Sequence, residues 1–171
     1  MAGFHVNSMK ANLGSFSRAY LFNVYFTNDV GVGVARGDNI ATYLVRSTTL
    51  PESTIEPIVV PWQGQEYKMG STHTFAEWEC TFNLDSNATL RKQMVEWSRK
   101  VHDPETNIHG SPSDYYGEAV LELLDVNGAV VMAYTLHQAW PSSIGSLDLA
   151  QDNKEVSQFS VTFTYNWFTT I

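Results

Sequence analysis

The sequence predicts a mainly β domain, a sandwich or barrel with one α-helix packed on the sheet. Three observations carry this. Runs rich in aromatic and branched residues recur between clusters of Gly, Pro, Asn and Asp. Strict alternation appears twice, at Trp78, Cys80, Phe82 and Leu84 and at Phe159, Val161, Phe163, Tyr165 and Trp167. Helical spacing is clear in one stretch, where Leu90, Met94, Trp97 and Val101 recur every three or four residues.

The elements follow in chain order. Residues 1–18, rich in Gly, Ser and Asn, read as an N-terminal arm, and 19–171 as a single domain. Ala19 to Thr27 is a first strand, residues 28–39 a Gly- and Asp-rich loop, and Thr42 to Ser47 a second strand. Leu50 to Gly70 contains Pro51, Pro57 and Pro61, with Gly64 placed to turn the chain. Proline cannot donate to a ladder, so this segment is expected to be an edge or protruding hairpin. The alternating strand at Trp78 buries one face and turns Glu77, Glu79, Thr81 and Asn83 to the other. A helix should then start at Ser86 or Asn87 as N-cap and end with Arg99 and Lys100 in the last turn, before Pro104. Glu118–Asp125 and Ala129–His137 are two strands around Val126-Asn127-Gly128, a hairpin signal because Asn and Gly tolerate positive φ. Trp140-Pro141 is expected to break the chain before a short strand at Ile144–Leu149, and Gln158–Phe168 is the last strand.

Composition narrows the function. The 171 residues are 43% hydrophobic, with five Trp, eight Tyr and nine Phe, so the chain can bury a core without disulfides or metal. Eighteen acidic residues against ten basic ones give a net charge of −8, the wrong sign for coating nucleic acid, although it suits a surface that phosphate must pass without sticking. No apolar run reaches membrane-span length and residues 1–18 lack a signal-type apolar core, so the reading is a chain folded in a cytoplasm. The lone Cys80 lies in the alternating pattern and reads as a core thiol.

Catalytic signatures are absent: there is no phosphate-cradling glycine loop, nucleophile elbow or His-Glu-x-x-His. His102, Asp103, His109 and Asp114 are metal-ligand types without ligand spacing, and read as a solvated loop. Glu77 and Glu79 share a strand face as paired hydrolase acids would, but also as the wet side of any sheet does. Trp78, Trp97 and Trp167 fall on apolar stripes and are expected in the core. Trp62 and Trp140 stand beside prolines outside regular patterns, as caps over a sheet edge or as anchors in a subunit interface.

Three stretches together resemble the tail tube protein of T4-type contractile bacteriophages. They are Leu50-Pro51 with Ile55, Pro57, Val59, Val60 and Pro61, running on to Tyr67-Lys68-Met69-Gly70, Thr74-Phe75 and Trp78; the helix Leu90 to Trp97; and Ala139-Trp140-Pro141 through Asp148-Leu149 to Phe163. Their order and spacing match over most of residues 19–168, while residues 1–18 and 28–39 look like elaborations. The resemblance implies a non-enzymatic structural subunit without cofactor or metal. Homo-hexameric rings would stack into a hollow tube inside a contractile sheath, with strands joining a ring-wide β-barrel on oligomerisation. DNA would pass without specific binding, and the implied partners are the sheath, baseplate, tail terminator and, in the lumen, the tape measure protein. The implied location is the virion tail, assembled in the host cytoplasm, with no direct membrane insertion. Residue by residue, Leu50, Pro51, Ile55, Pro57, Pro61, Trp62 and Tyr67 belong to a hairpin bridging rings, Trp140 and Pro141 lie near a subunit contact, and Glu77, Glu79, Thr81 and Asn83 are candidates for the lumen. The same resemblance extends to tube subunits of bacteriocins and type VI secretion devices. A reading of another class is a monomeric carbohydrate-binding β-sandwich with Trp62 and Trp140 as its platform.

Overall fold

A computed structural model of the protein describes residues 16–27, 40–147, 149–152 and 154–171. Residues 1–15 of the expected arm and the expected loop at 28–39 lie outside the described residues. In chain order the elements are β1 (Phe22–Thr27), α1 (Ile40–Leu44), β2 (Val45–Thr48), β3 (Ser53–Trp62), β4 (Gln65–Phe75), β5 (Trp78–Asn83), α2 (Thr89–Val101), β6 (His102–Asp103), β7 (Ile108–His109), α3 (Pro112–Tyr115), β8 (Gly117–Leu124), β9 (Val130–Ile144), β10 (Gln158–Thr164) and β11 (Trp167–Thr170).

Seven strands form one antiparallel sheet, six of them along the path β1-β8-β9-β10-β5-β2 and β11 paired to β9 off the path. The path does not close into a barrel within one chain. It folds over on itself, because Phe26 from β1 meets Phe163 of β10 at 5.1 Å and Phe82 of β5 at 6.5 Å, ring centre to ring centre. The helix α2 seals this core with Leu90, Met94 and Trp97, all fully buried on one stripe. Trp97 lies edge-on to Phe26 at 5.9 Å, and its indole N–H donates to the Tyr115 carbonyl at 2.6 Å. That bond satisfies the single polar atom of an otherwise apolar side chain.

The fold turns over at β9. Its first part pairs with β8 and β11, and from Trp140 onward it pairs with β10. Between the two parts Gln138 takes φ of 55°, and the register slips by one residue opposite Thr162 and Phe163. The strand therefore does not break at Trp140-Pro141 as expected. A bulge at Ser142 lets Pro141 sit in the strand, because a bulge tolerates a residue with no N–H to give. Among the described residues of the predicted strand at Ile144–Leu149 only Ile144 is in a strand, as the last residue of β9.

Three further expectations are corrected. Ile40–Leu44 is a helical turn, so the expected second strand, Thr42 to Ser47, is extended only from Val45, and β2 runs on to Thr48. Residue 88, an alanine with φ of 52°, precedes α2 without a side-chain cap, because the Asp85 carboxylate, rather than Ser86 or Asn87, accepts the Thr89 N–H at 3.0 Å. The hairpin around Val126-Asn127-Gly128 does form as expected: β8 pairs with β9, the Asp125 N–H donates to the Ala129 carbonyl at 2.8 Å, and Gly128 supplies the positive φ of the loop. The last strand splits at Tyr165-Asn166, which carries Trp167 off the buried face: it is 41% exposed.

Candidate interaction surfaces

The β3–β4 ribbon is the most unusual surface of the molecule. The two strands pair with each other from Ser53↔Phe75 to Trp62↔Gln65 and with no other described strand. At roughly 3.3 Å per residue, the ten residues of β3 project about 33 Å. A two-stranded ribbon consists of edges only, so Pro57 and Pro61 can sit where no N–H is required. At its tip Gln63 and Gly64 have φ of 46° and 82°, the both-positive pair that closes a two-residue hairpin with the natural strand twist. All ten residues of β3 are exposed, among them Ile55, Ile58, Val59, Val60 and Trp62, and β4 adds Tyr67 and Met69. Leu50 and Pro51 lie at the root, half-exposed. An apolar arm that, beyond its root at Phe75, stands exposed among the described residues is a surface made to be covered.

Strand β5 divides its residues by face. Trp78, Cys80 and Phe82 are buried. On the other side register rows join Ser47, Thr81 and Ser160, then Glu79, Thr162 and Ser143, then Asn83 and Gln158. Glu77 stands exposed just before β5 and accepts from the Thr164 hydroxyl at 3.4 Å. The structure thus brings Glu77, Glu79, Thr81 and Asn83 onto one hydroxyl- and carboxylate-bearing face whose paired rows contain no Lys or Arg. Beside it, β2 ends the path: one side pairs with β5, and the other has no strand partner among the described residues.

Trp140 lies half-buried at 6.0 Å from Tyr115 and 5.7 Å from Tyr116, and Pro141 is buried, so both are held mainly by their own chain. His137, whose partners spacing alone does not reveal, ties three strands together. It meets Glu118 of β8 at 2.9 Å and Thr169 of β11 at 3.0 Å, and stacks on Trp167 at 5.3 Å.

The remaining chemistry is occupied locally. Asp103 is held below the ordinary carboxylate range by the Thr106 hydroxyl, at 2.8 Å, and then by the Glu105 N–H, at 3.1 Å. His102 and His109 face each other across β6 and β7 with ring centres 4.4 Å apart, and Asp114 accepts from Ser113. Among the described residues no group of three or more His, Cys, Asp or Glu is placed to hold a metal. Burial pushes the Cys80 thiol far up, which suppresses the thiolate a nucleophile requires. Among the described residues no helix is long and apolar enough to cross a membrane.

The sequence model of the phage tail tube protein family matches residues 17–171. The chain belongs to that family. Over 108 residues it is 33% identical to the tail tube protein of Serratia phage KSP90, a stretch that is 62% of this chain and 60% of that protein. Over 88 residues it is 28% identical to the baseplate tail-tube junction protein gp54 of Enterobacteria phage T4, which is 50% of this chain and 27% of that protein. The matches thus span little more than half the length of the first relative and about a quarter of the second. In fold, it superposes on a chain of the PVC sheath–tube complex of an extracellular contractile injection system in its extended state. The TM-score is 0.69 at 13% identity, and 98% of each chain is covered.

Proposed function

We propose that residues 19–171 form the tube domain of a non-enzymatic virion subunit, which closes into homo-hexameric rings that stack inside a contractile sheath. The observation that carries this is the β3–β4 arm, an apolar hairpin exposed from its tip down to its root at Phe75 in a chain of the tail tube family. A second copy in the next ring is the natural cover for Ile55, Pro57, Pro61, Trp62 and Tyr67. Within a ring, the free edge of β2 pairs with a neighbour and the joined sheets become one barrel, which removes the edges a single chain leaves open.

In this reading the face bearing Glu77, Glu79, Thr81 and Asn83 lines the lumen. Carboxylates and hydroxyls there offer phosphate no salt link, so DNA slides through without specific binding. Trp140 and Pro141 act near a subunit contact by supporting the surface from beneath. Baseplate, terminator, sheath and a tape measure protein complete the assembly, which forms in the host cytoplasm without membrane insertion. Electron microscopy over a concentration series, with and without baseplates as seeds, tests the proposal. Rings or hollow tubes are expected; monomers under every condition contradict it.

A further inference from the structure

An arm of about 33 Å that must meet a neighbour is useful only if its direction is fixed, and the described contacts that fix it are few. At the root, Phe75, the last residue of β4, sits 5.5 Å from Phe168 in an edge-on arrangement and 5.9 Å from Tyr165, while His73 lies against it at 4.6 Å. Phe168 in turn meets Tyr134 of β9 at 5.8 Å. On the other strand of the root, the Glu52 carbonyl accepts from the Ala76 N–H at 3.1 Å and from the Tyr165 hydroxyl at 3.5 Å. The Trp78 indole N–H donates to the Thr49 carbonyl at 2.8 Å, anchoring the entry to the arm in the core.

These residues come from the point where the last strand is interrupted. The break at Tyr165-Asn166 costs a continuous ladder, yet it turns Phe168 and Tyr165 towards Phe75. Neither Phe75 nor Phe168 is fully buried, so the cluster is an appendage of the core and not its centre. We propose that Phe75, Tyr165 and Phe168 are positioning residues: their ring contacts lock the angle at which the β3–β4 arm leaves the domain, and through it the geometry of ring stacking. The inference rests on the tube reading for its use, while the lock itself is a property of one chain.

The test places spin labels at Gln65→Cys near the arm tip and Glu96→Cys on the exposed face of α2, with the native Cys80 fully buried and unlabelled. The label-to-label distance distribution is then measured in the full chain. It should be narrow in the parent, clearly broadened by Phe75→Leu with the melting transition retained, and narrow again in Phe75→Tyr, which keeps the ring. Tyr165→Phe, which loses only the hydroxyl, should broaden it least and serves as the variant safest for folding. Tube assembly should fall in the order of broadening. A Phe75→Leu distribution as narrow as the parent's overturns the lock, and so does broadening that leaves tubes with unchanged ring spacing. If the parent builds no tubes, the proposed function fails while the distance distributions still decide the lock.

Discussion

Truncating Trp62 to alanine separates assembly from folding. The side chain is 70% exposed and has no ring or hydrogen-bond partner among the described residues, so its loss should change monomer stability by no more than about 0.5 kcal/mol. For a chain of this size that is a shift in melting temperature of roughly 2 °C or less. Trp97, of the same size but fully buried between Phe26 and Phe163, supplies the contrast. Trp97→Ala should cost about 3–5 kcal/mol, a fall of roughly 10 °C. In assembly the order reverses. A tryptophan anchoring an interface is worth about 2 kcal/mol or more, and at 1.4 kcal/mol per tenfold the concentration for half-assembly should rise roughly 30-fold or more. Thermal melting of the monomer and sedimentation over a concentration series read the two quantities separately. If Trp62→Ala melts as early as Trp97→Ala, the tip packs within its own chain and the arm is misread. If it assembles at the parent's concentration, Trp62 is not a contact.

Three further outcomes follow from the geometry. Phe163→Ala removes a ring that touches Phe26, Trp78 and Trp97, and thermal melting should show a loss of about 3–5 kcal/mol. Asp85→Ala should cost about 0.5–2 kcal/mol by uncapping α2. Burial alone would raise the Asp85 carboxyl, but the hydrogen bonds it accepts, led by those from Thr89, outweigh this and hold it below its usual 3.8. Its contribution is therefore fully present above that value and lost as pH falls through the depressed one, so acid unfolding of the parent should show a sensitivity that Asp85→Ala lacks. Gly110→Ala would place a Cβ 2.0 Å from the Lys100 carbonyl oxygen, a backbone atom that cannot step aside, and should destabilise by about 1–3 kcal/mol in denaturant titration.

Local rules made most elements legible and missed the places where tertiary contacts override them. Alternation identified the buried face of β5, and the spacing of Leu90, Met94 and Trp97 identified the stripe of α2, because both signals come from one uninterrupted element. The prolines and Gly64 marked the arm, although its pairing runs on to Phe75, past the expected end at Gly70. The continuity of β9 was hidden because Trp140-Pro141 looks like a stop; the bulge and the positive φ at Gln138 that admit the proline leave no sequence mark. Trp167 continued the period of two, but the turn at Asn166 reset its face, a change that follows from pairing β11 with His137 instead of extending β10. The His137–Glu118–Thr169 clasp joins residues 19 and 32 positions apart, and no spacing announces it. Of the candidate surfaces, the polar face of β5 follows from alternation, whereas the matching hydroxyl rows of β10 and β9 require the register.

The most direct test is a residue-resolution reconstruction of the assembled particle by electron cryo-microscopy. The account predicts stacked hexameric rings, Trp62 and Tyr67 buried against the adjacent ring, and Glu77, Glu79, Thr81 and Asn83 facing an open lumen. An assembly in which the β3–β4 arm remains in solvent, or in which that polar face lies outside the tube, would contradict it.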